Sequence, residues 1–118
     1  MENCIRDCAD INQLNRCQTA LGEIQSELER KARVLNLAGN EVRLKILFLL
    51  NMEKAMCPCD LSDVLKMTVP AVSQHLKKLK DADLITRKKE GQTIFYSINE
   101  AEATLLLPII EKLNGVAA

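Results

Sequence analysis

Long apolar runs, histidine, glycine and net charge are scarce or missing in this sequence of 118 residues. No apolar stretch reaches the roughly 18 residues of a candidate transmembrane helix, so no membrane span is expected. The opening stretch MENCIRDCADINQLNRC is polar and mixed in sign, unlike a secretory signal, and it points to the cytoplasm. The single histidine, His75, has no acid or nucleophile at a spacing that would make a catalytic set. With four glycines and no glycine-rich phosphate loop, the chain does not read as an enzyme. Sixteen basic residues balance sixteen acidic ones, so overall charge does not point to nucleic acid. There are no internal repeats and no low-complexity tracts. The length suits one domain with a modest core, which oligomerisation would help to stabilise.

Cysteine, by contrast, is present five times, as Cys4, Cys8, Cys17, Cys57 and Cys59. An odd count in a reducing compartment argues against a disulfide framework and for metal or redox chemistry. Charge is also unevenly placed. Between Gln74 and Gln92 six cations (Lys77, Lys78, Lys80, Arg87, Lys88, Lys89) face three acids, whereas the last twenty residues are acidic and apolar.

Periodicity organises the chain. Residues 1–9 have no strong period and read as a mobile, cysteine-bearing arm, with a single domain over 10–118. Leu14, Leu21, Ile24 and Leu28 fall at helical spacing over about 10–30, and Val34, Leu35 and Leu37 mark a second helix over about 29–38. Gly39-Asn40 supplies a stop and an N-cap. EVRLKILFLL is apolar on nearly every side and is the expected central helix. Pro58 biases Cys57 to an extended backbone. Asp60 is an expected N-cap for a short helix over 61–66. Thr68 caps the next helix, with Pro70 in its first turn and Val72, Leu76 and Leu79 on its core face. LITRKKE-GQ-TIFYSI alternates with period two about Gly91-Gln92, a hairpin with Ile94, Tyr96 and Ile98 on one face. Asn99, with Glu102 as a capping-box partner, is expected to open a last helix, kinked at Pro108. Two helices joined by a tight turn and followed by a basic hairpin make a winged helix-turn-helix, mainly α with a small β-hairpin.

The segments CPCDL, VSQHLKKL and GQTIFYSI, within residues 30–98, resemble the ArsR/SmtB family of metal-responsive repressors. The box Cys57-Pro58-Cys59-Asp60-Leu61 is similar to the Cys-x-Cys-Asp-Leu box of the arsenic-, cadmium- and lead-responsive branches. Ala55-Met56 stand before it, where an acidic residue and an aliphatic one are usual. Cys4 and Cys8 look like the N-terminal pair of the cadmium/lead, CadC-like branch, which completes the site from the other subunit. The family's second site, on its last helix, uses acids with histidines. The comparable stretch here has Glu100 and Glu102 without a histidine, and so falls short of that donor set. The resemblance implies a cytoplasmic homodimer, joined through its N- and C-terminal helices, that binds double-stranded operator DNA.

The residues themselves leave alternatives open. Cys57 and Cys59 could be packed as small apolar side chains, but adjacent thiols on a polar loop are poor core material. Two donors do not complete a tetrahedral site, and soft thiolates select ions such as Cd(II), Pb(II), Hg(II) or As(III), with Zn(II) the harder competitor. Cys4 and Cys8 could be incidental thiols, and Cys17 a spare ligand. Thr68, Ser73, Gln74, Lys77 and Lys78 are candidates for base and phosphate contacts, and His75 for packing or a phosphate hydrogen bond. Arg87, Lys88 and Lys89 flank the glycine turn as a wing contact, or merely keep a hairpin soluble. The apolar faces of the first and last helices could pair within one chain or build a dimer. A thiol-redox repressor of the same fold and an interaction module with a structural zinc are the rival functions, the latter requiring metal to fold.

Overall fold

The computed structural model describes Ile5 and residues 7–117. Cys4 and most of the expected arm lie outside the described residues. The chain divides into two compact units, residues 1–32 and 33–118. The first contains most of α1 (Ile11–Ala38), whose side chains in this unit are exposed throughout. Asp10 opens α1 by accepting from the Gln13 N–H at 3.0 Å. The two helices expected over 10–38 are one. No proline interrupts the segment, and Glu27 pairs with both Arg30 and Lys31 across the expected break.

The second unit holds the core. Asn40 caps α2 (Glu41–Glu53) by accepting from the Arg43 N–H. Ile46, Leu47 and Leu50 of α2 are buried, and the helix packs on α4, α5 and β2, as its all-round apolarity predicts. α3 (Pro58–Leu65) begins three residues earlier than expected. Its N-cap is Cys57, not Asp60, because proline at N1 needs no backbone donor and its φ is already helical. Asp60 instead sits in the first turn. Lys66 closes α3 in the left-handed region at φ 56°, and the Ser62 hydroxyl donates to the Met67 carbonyl, which tightens the turn into α4. α4 (Val69–Asp81) is capped by Thr68 as expected, and Val72, Leu76 and Leu79 are fully buried.

β1 (Ile85–Glu90) and β2 (Thr93–Ile98) form an antiparallel hairpin about Gly91-Gln92, where Gly91 takes φ 63°. The last helix differs from expectation. Residues 99–106 make successive turns, and α5 spans Leu107–Ala117. Pro108 lies in the first turn of α5 and therefore helps to start the helix rather than kink it. Ala103, Leu106 and Ile110 close the core over α2.

Candidate nucleic-acid interface and thiol site

The turn between α3 and α4 sets α4 on its core. Thr68 Oγ1 accepts from the Ala71 N–H at 3.3 Å, which satisfies one of the first-turn donors of α4. With Val72, Leu76 and Leu79 turned inward, Gln74, Lys77 and Lys78 are exposed and Ser73 is half-buried. Lys77 Nζ meets Asp81 at 2.9 Å, but both side chains are mostly exposed. Such a pair contributes little and can give way to a phosphate.

His75 has a different setting from its neighbours. It is half-buried, and its Nδ1 accepts from Arg43 Nε at 3.2 Å. Burial, then the positive charges of Arg43 and Lys78, hold its pKa below the ordinary histidine value, so the ring is neutral at pH 7. Arg43 also donates from Nη1 to the Leu37 carbonyl at 3.1 Å. This residue was missed in the sequence, although Arg43 and Lys45 within a segment apolar on nearly every side were a signal that polar partners must exist.

The wing carries its cations on two faces. Directly opposite residues share a face, so Arg87 (opposite Tyr96) and Lys89 (opposite Ile94) lie on one side and Lys88 (opposite Phe95) on the other. All three are exposed, and Lys88 approaches Glu90 at 3.7 Å. α4 packs directly on β1, so the helix and the wing belong to one body.

The thiols of the box stand at the start of α3, which packs on α4 and β2. Cys57 is extended (φ −90°, ψ 160°) and half-buried, Cys59 is exposed on the first turn of α3, and both are free. Immediately before them, Met56 forms a two-way backbone bridge with Tyr96 of β2. The Met56 N–H donates to the Tyr96 carbonyl at 3.1 Å and the Tyr96 N–H returns a bond at 2.9 Å. The cysteine box is therefore one residue from a backbone link to the wing. Cys8 and Cys17 are free and exposed in the first unit. Among the described residues, no three Cys, His, Asp or Glu side chains gather as a metal-binding group. The box therefore offers two sulfur donors, which suit a soft ion but need at least one more ligand.

Residues 40–87 match the bacterial regulatory protein, arsR family. The chain is 35% identical over 88 residues to the arsenical resistance operon repressor of Bacillus subtilis (strain 168), covering 74% of this chain and 84% of the relative. It is 28% identical over 76 residues to a Staphylococcus aureus protein named as a homolog of the cadmium resistance transcriptional regulatory protein CadC, covering 64% and 63%. Among solved structures, reduced HlyU from Vibrio cholerae N16961 superposes with a TM-score of 0.69 at 30% identity, covering 77% of this chain and 95% of that one. Winged helix-turn-helix regulators of this kind bind double-stranded DNA. The chain belongs to the arsR family of bacterial regulatory proteins.

Proposed function

We propose that this protein is a homodimeric repressor released from operator DNA by a soft heavy-metal ion, Cd(II) or Pb(II), held on cysteine thiolates. The observation that carries the proposal is the Cys57-Pro58-Cys59 box at the start of α3, one residue from the Met56–Tyr96 bridge. In this reading Cys57 and Cys59 take the ion together with Cys4 and Cys8 of the partner chain. Pulling the box toward a metal displaces Met56, and the bridge passes that displacement to β2 and the wing. Metal then favours a conformer that fits DNA poorly. By linkage, DNA weakens metal binding by the same factor, on the order of 1–3 kcal/mol in typical allosteric proteins.

Two features support the dimer. On α1, Leu14, Leu21, Leu28 and Leu35 recur every seventh residue, each 39–56% exposed, with Ile24 beside them. A heptad stripe of this kind suits pairing with its own copy. In the second unit, Leu44, Phe48, Leu49, Val64, Leu113 and Val116 line an apolar groove of about 780 Å³ between α2, α3 and α5. Two reading helices and two wings would then address the half-sites of a palindromic operator. In DNA contact we assign Gln74 and Lys77 to bases, and Thr68, Ser73, His75, Lys78, Arg87, Lys88 and Lys89 to phosphates or to positioning.

As(III) is the second reading, favoured by the arsenical resistance relative; it needs three sulfurs, Cys57, Cys59 and one more. The test is Cys57→Ser and Cys59→Ser. Each variant is expected to bind operator like the wild type when metal-free and to stay bound when metal is added. Release at the wild-type metal concentration would move the sensor elsewhere. Mixing a Cys4→Ser/Cys8→Ser chain with a Cys57→Ser/Cys59→Ser chain separates the two readings. A four-sulfur absorption band that appears only in the mixture supports the shared cadmium/lead site.

A further inference from the structure

Arg43 touches three elements at once. Its own N–H donates to the N-cap Asn40 of α2 at 3.1 Å. Its Nη1 reaches the Leu37 carbonyl in the last turn of α1 at 3.1 Å, and its Nε reaches His75 Nδ1 in the middle of α4 at 3.2 Å. The Leu37 carbonyl is one of the last four of its helix, which have no partner within the helix. The guanidinium is a rigid planar fork, so its two outgoing bonds fix each other's direction. Because Nδ1 accepts, the imidazole proton lies on Nε2, and the ring is held as one neutral tautomer.

The apolar contacts of α4 do not supply this information. Val72, Leu76 and Leu79 seat the helix at a depth, but burial of apolar surface is non-directional. A small rotation of α4 about its axis would keep those side chains buried and carry Gln74 and Lys77 away from their targets. His75 lies between these two in sequence, and it is the α4 side chain that the fork holds.

We propose that Arg43 and His75 are positioning residues for DNA recognition, their hydrogen bond fixing the rotation of α4 against α2 and the end of α1. The proposal rests on α4 being the reading helix, and it is independent of the thiol site.

A pH profile distinguishes this role from simple support. The charged groups that face the imidazole are Arg43 from α2 and Lys78 from α4 itself. Protonation turns Nδ1 from acceptor to donor and adds a third cation beside those two. The bond to Arg43 is therefore present at neutral pH and lost as pH falls through the depressed pKa of His75. General electrostatics works in the opposite direction, since an added positive charge strengthens binding to any DNA. The fork thus predicts that discrimination between sequences falls on acidification while non-specific affinity does not.

The experiment uses the metal-free, full-length chain. The probes are a duplex selected by the wild type from a random pool and its scrambled counterpart. Arg43→Lys keeps the charge but loses the fork, and is expected to lower the selected-to-scrambled affinity ratio by roughly tenfold, the scale of one base contact. His75→Asn keeps an acceptor near the Nδ1 position but cannot be protonated. It is expected to keep most of the ratio at about pH 7.5 and to show no loss on acidification, whereas the wild type loses discrimination as the pH is lowered through the depressed pKa of His75. A full ratio in Arg43→Lys, or a wild-type pH profile in His75→Asn, overturns the proposal. If Arg43→Lys does not fold, the His75→Asn profile decides alone. If Gln74→Ala and Lys77→Ala also leave the ratio unchanged, α4 is not the reading helix and the proposal falls with that assignment. A loss in those two with none in Arg43→Lys removes the fork only.

Discussion

Replacing Lys89 by alanine tests whether the wing touches DNA, and the hairpin register makes the test sharper than charge counting would. Lys89 sits one residue before the turn-flanking Glu90, on the face of Arg87, Tyr96 and Ile94. Lys88 projects from the opposite face and has the Glu90 carboxylate 3.7 Å away. Both lysines are exposed, so neither substitution should unfold the hairpin. Each phosphate neutralised contributes about 0.9 to the slope of log K against log salt. A dimer presents two wings, so losing one contact per wing should flatten the slope by about 1.8. Between about 50 and 200 mM salt, that amounts to a roughly twelvefold change in how far affinity falls. Fluorescence anisotropy on a labelled duplex at four or five salt concentrations reads the slope directly. Lys88→Ala should do less, because its side chain projects from the opposite face of the hairpin. An unchanged slope in Lys89→Ala would take the wing out of the interface, and a larger effect from Lys88→Ala would show that the other face of the hairpin meets the backbone.

Leu47→Ala empties a fully buried position at the centre of α2 and should cost about 2–5 kcal/mol in urea unfolding. Thr68→Ala removes the cap of α4; a loss of about 1 kcal/mol in stability, together with weaker DNA binding, is expected from the same titrations. Gly91→Val puts a β-branched residue at φ 63° and should cost about 1–2 kcal/mol, visible as a lower unfolding midpoint. Met56→Pro deletes the N–H that bonds to the Tyr96 carbonyl, while Met56→Leu keeps it. If the bridge transmits the metal signal, the proline variant binds metal by thiolate absorption yet releases DNA poorly, and the leucine variant behaves like the wild type. Equal release by both would place transmission elsewhere.

The elements that could be read from the sequence were those specified locally. Thr68 and Pro70 lie within a few residues of the backbone they organise, as do Asn40 and Gly91-Gln92, and each acts as its chemistry predicts. Boundaries moved where two local signals competed. Asp60 was the better capping side chain, but Pro58 fitted N1, so α3 begins there. Asn99 could cap a helix, yet the chain makes turns until Leu107, with Pro108 in the first helical turn. The break expected near residue 30 rested on reading two apolar patterns as two helices, although nothing between them disfavours continuation. The shared placement of Ser73, Gln74, His75, Lys77 and Lys78 on α4, with Thr68 as its N-cap, was legible because it is local. The Met56–Tyr96 bridge and the Arg43–His75 bond were not, because they join residues 40 and 32 positions apart and carry no short-range pattern.

The central claim, that thiolate binding of a soft ion releases DNA, is tested most directly by titrating the wild-type protein–operator complex with Cd(II), Pb(II), As(III), Hg(II) and Zn(II) while anisotropy and thiolate absorption are recorded together. The account predicts that Cd(II) or Pb(II) releases the duplex in step with the growth of the absorption band, at lower concentration than Zn(II). The accompanying loss of DNA affinity should be on the order of 100-fold. Saturation of the thiolate band with the complex still intact would contradict it.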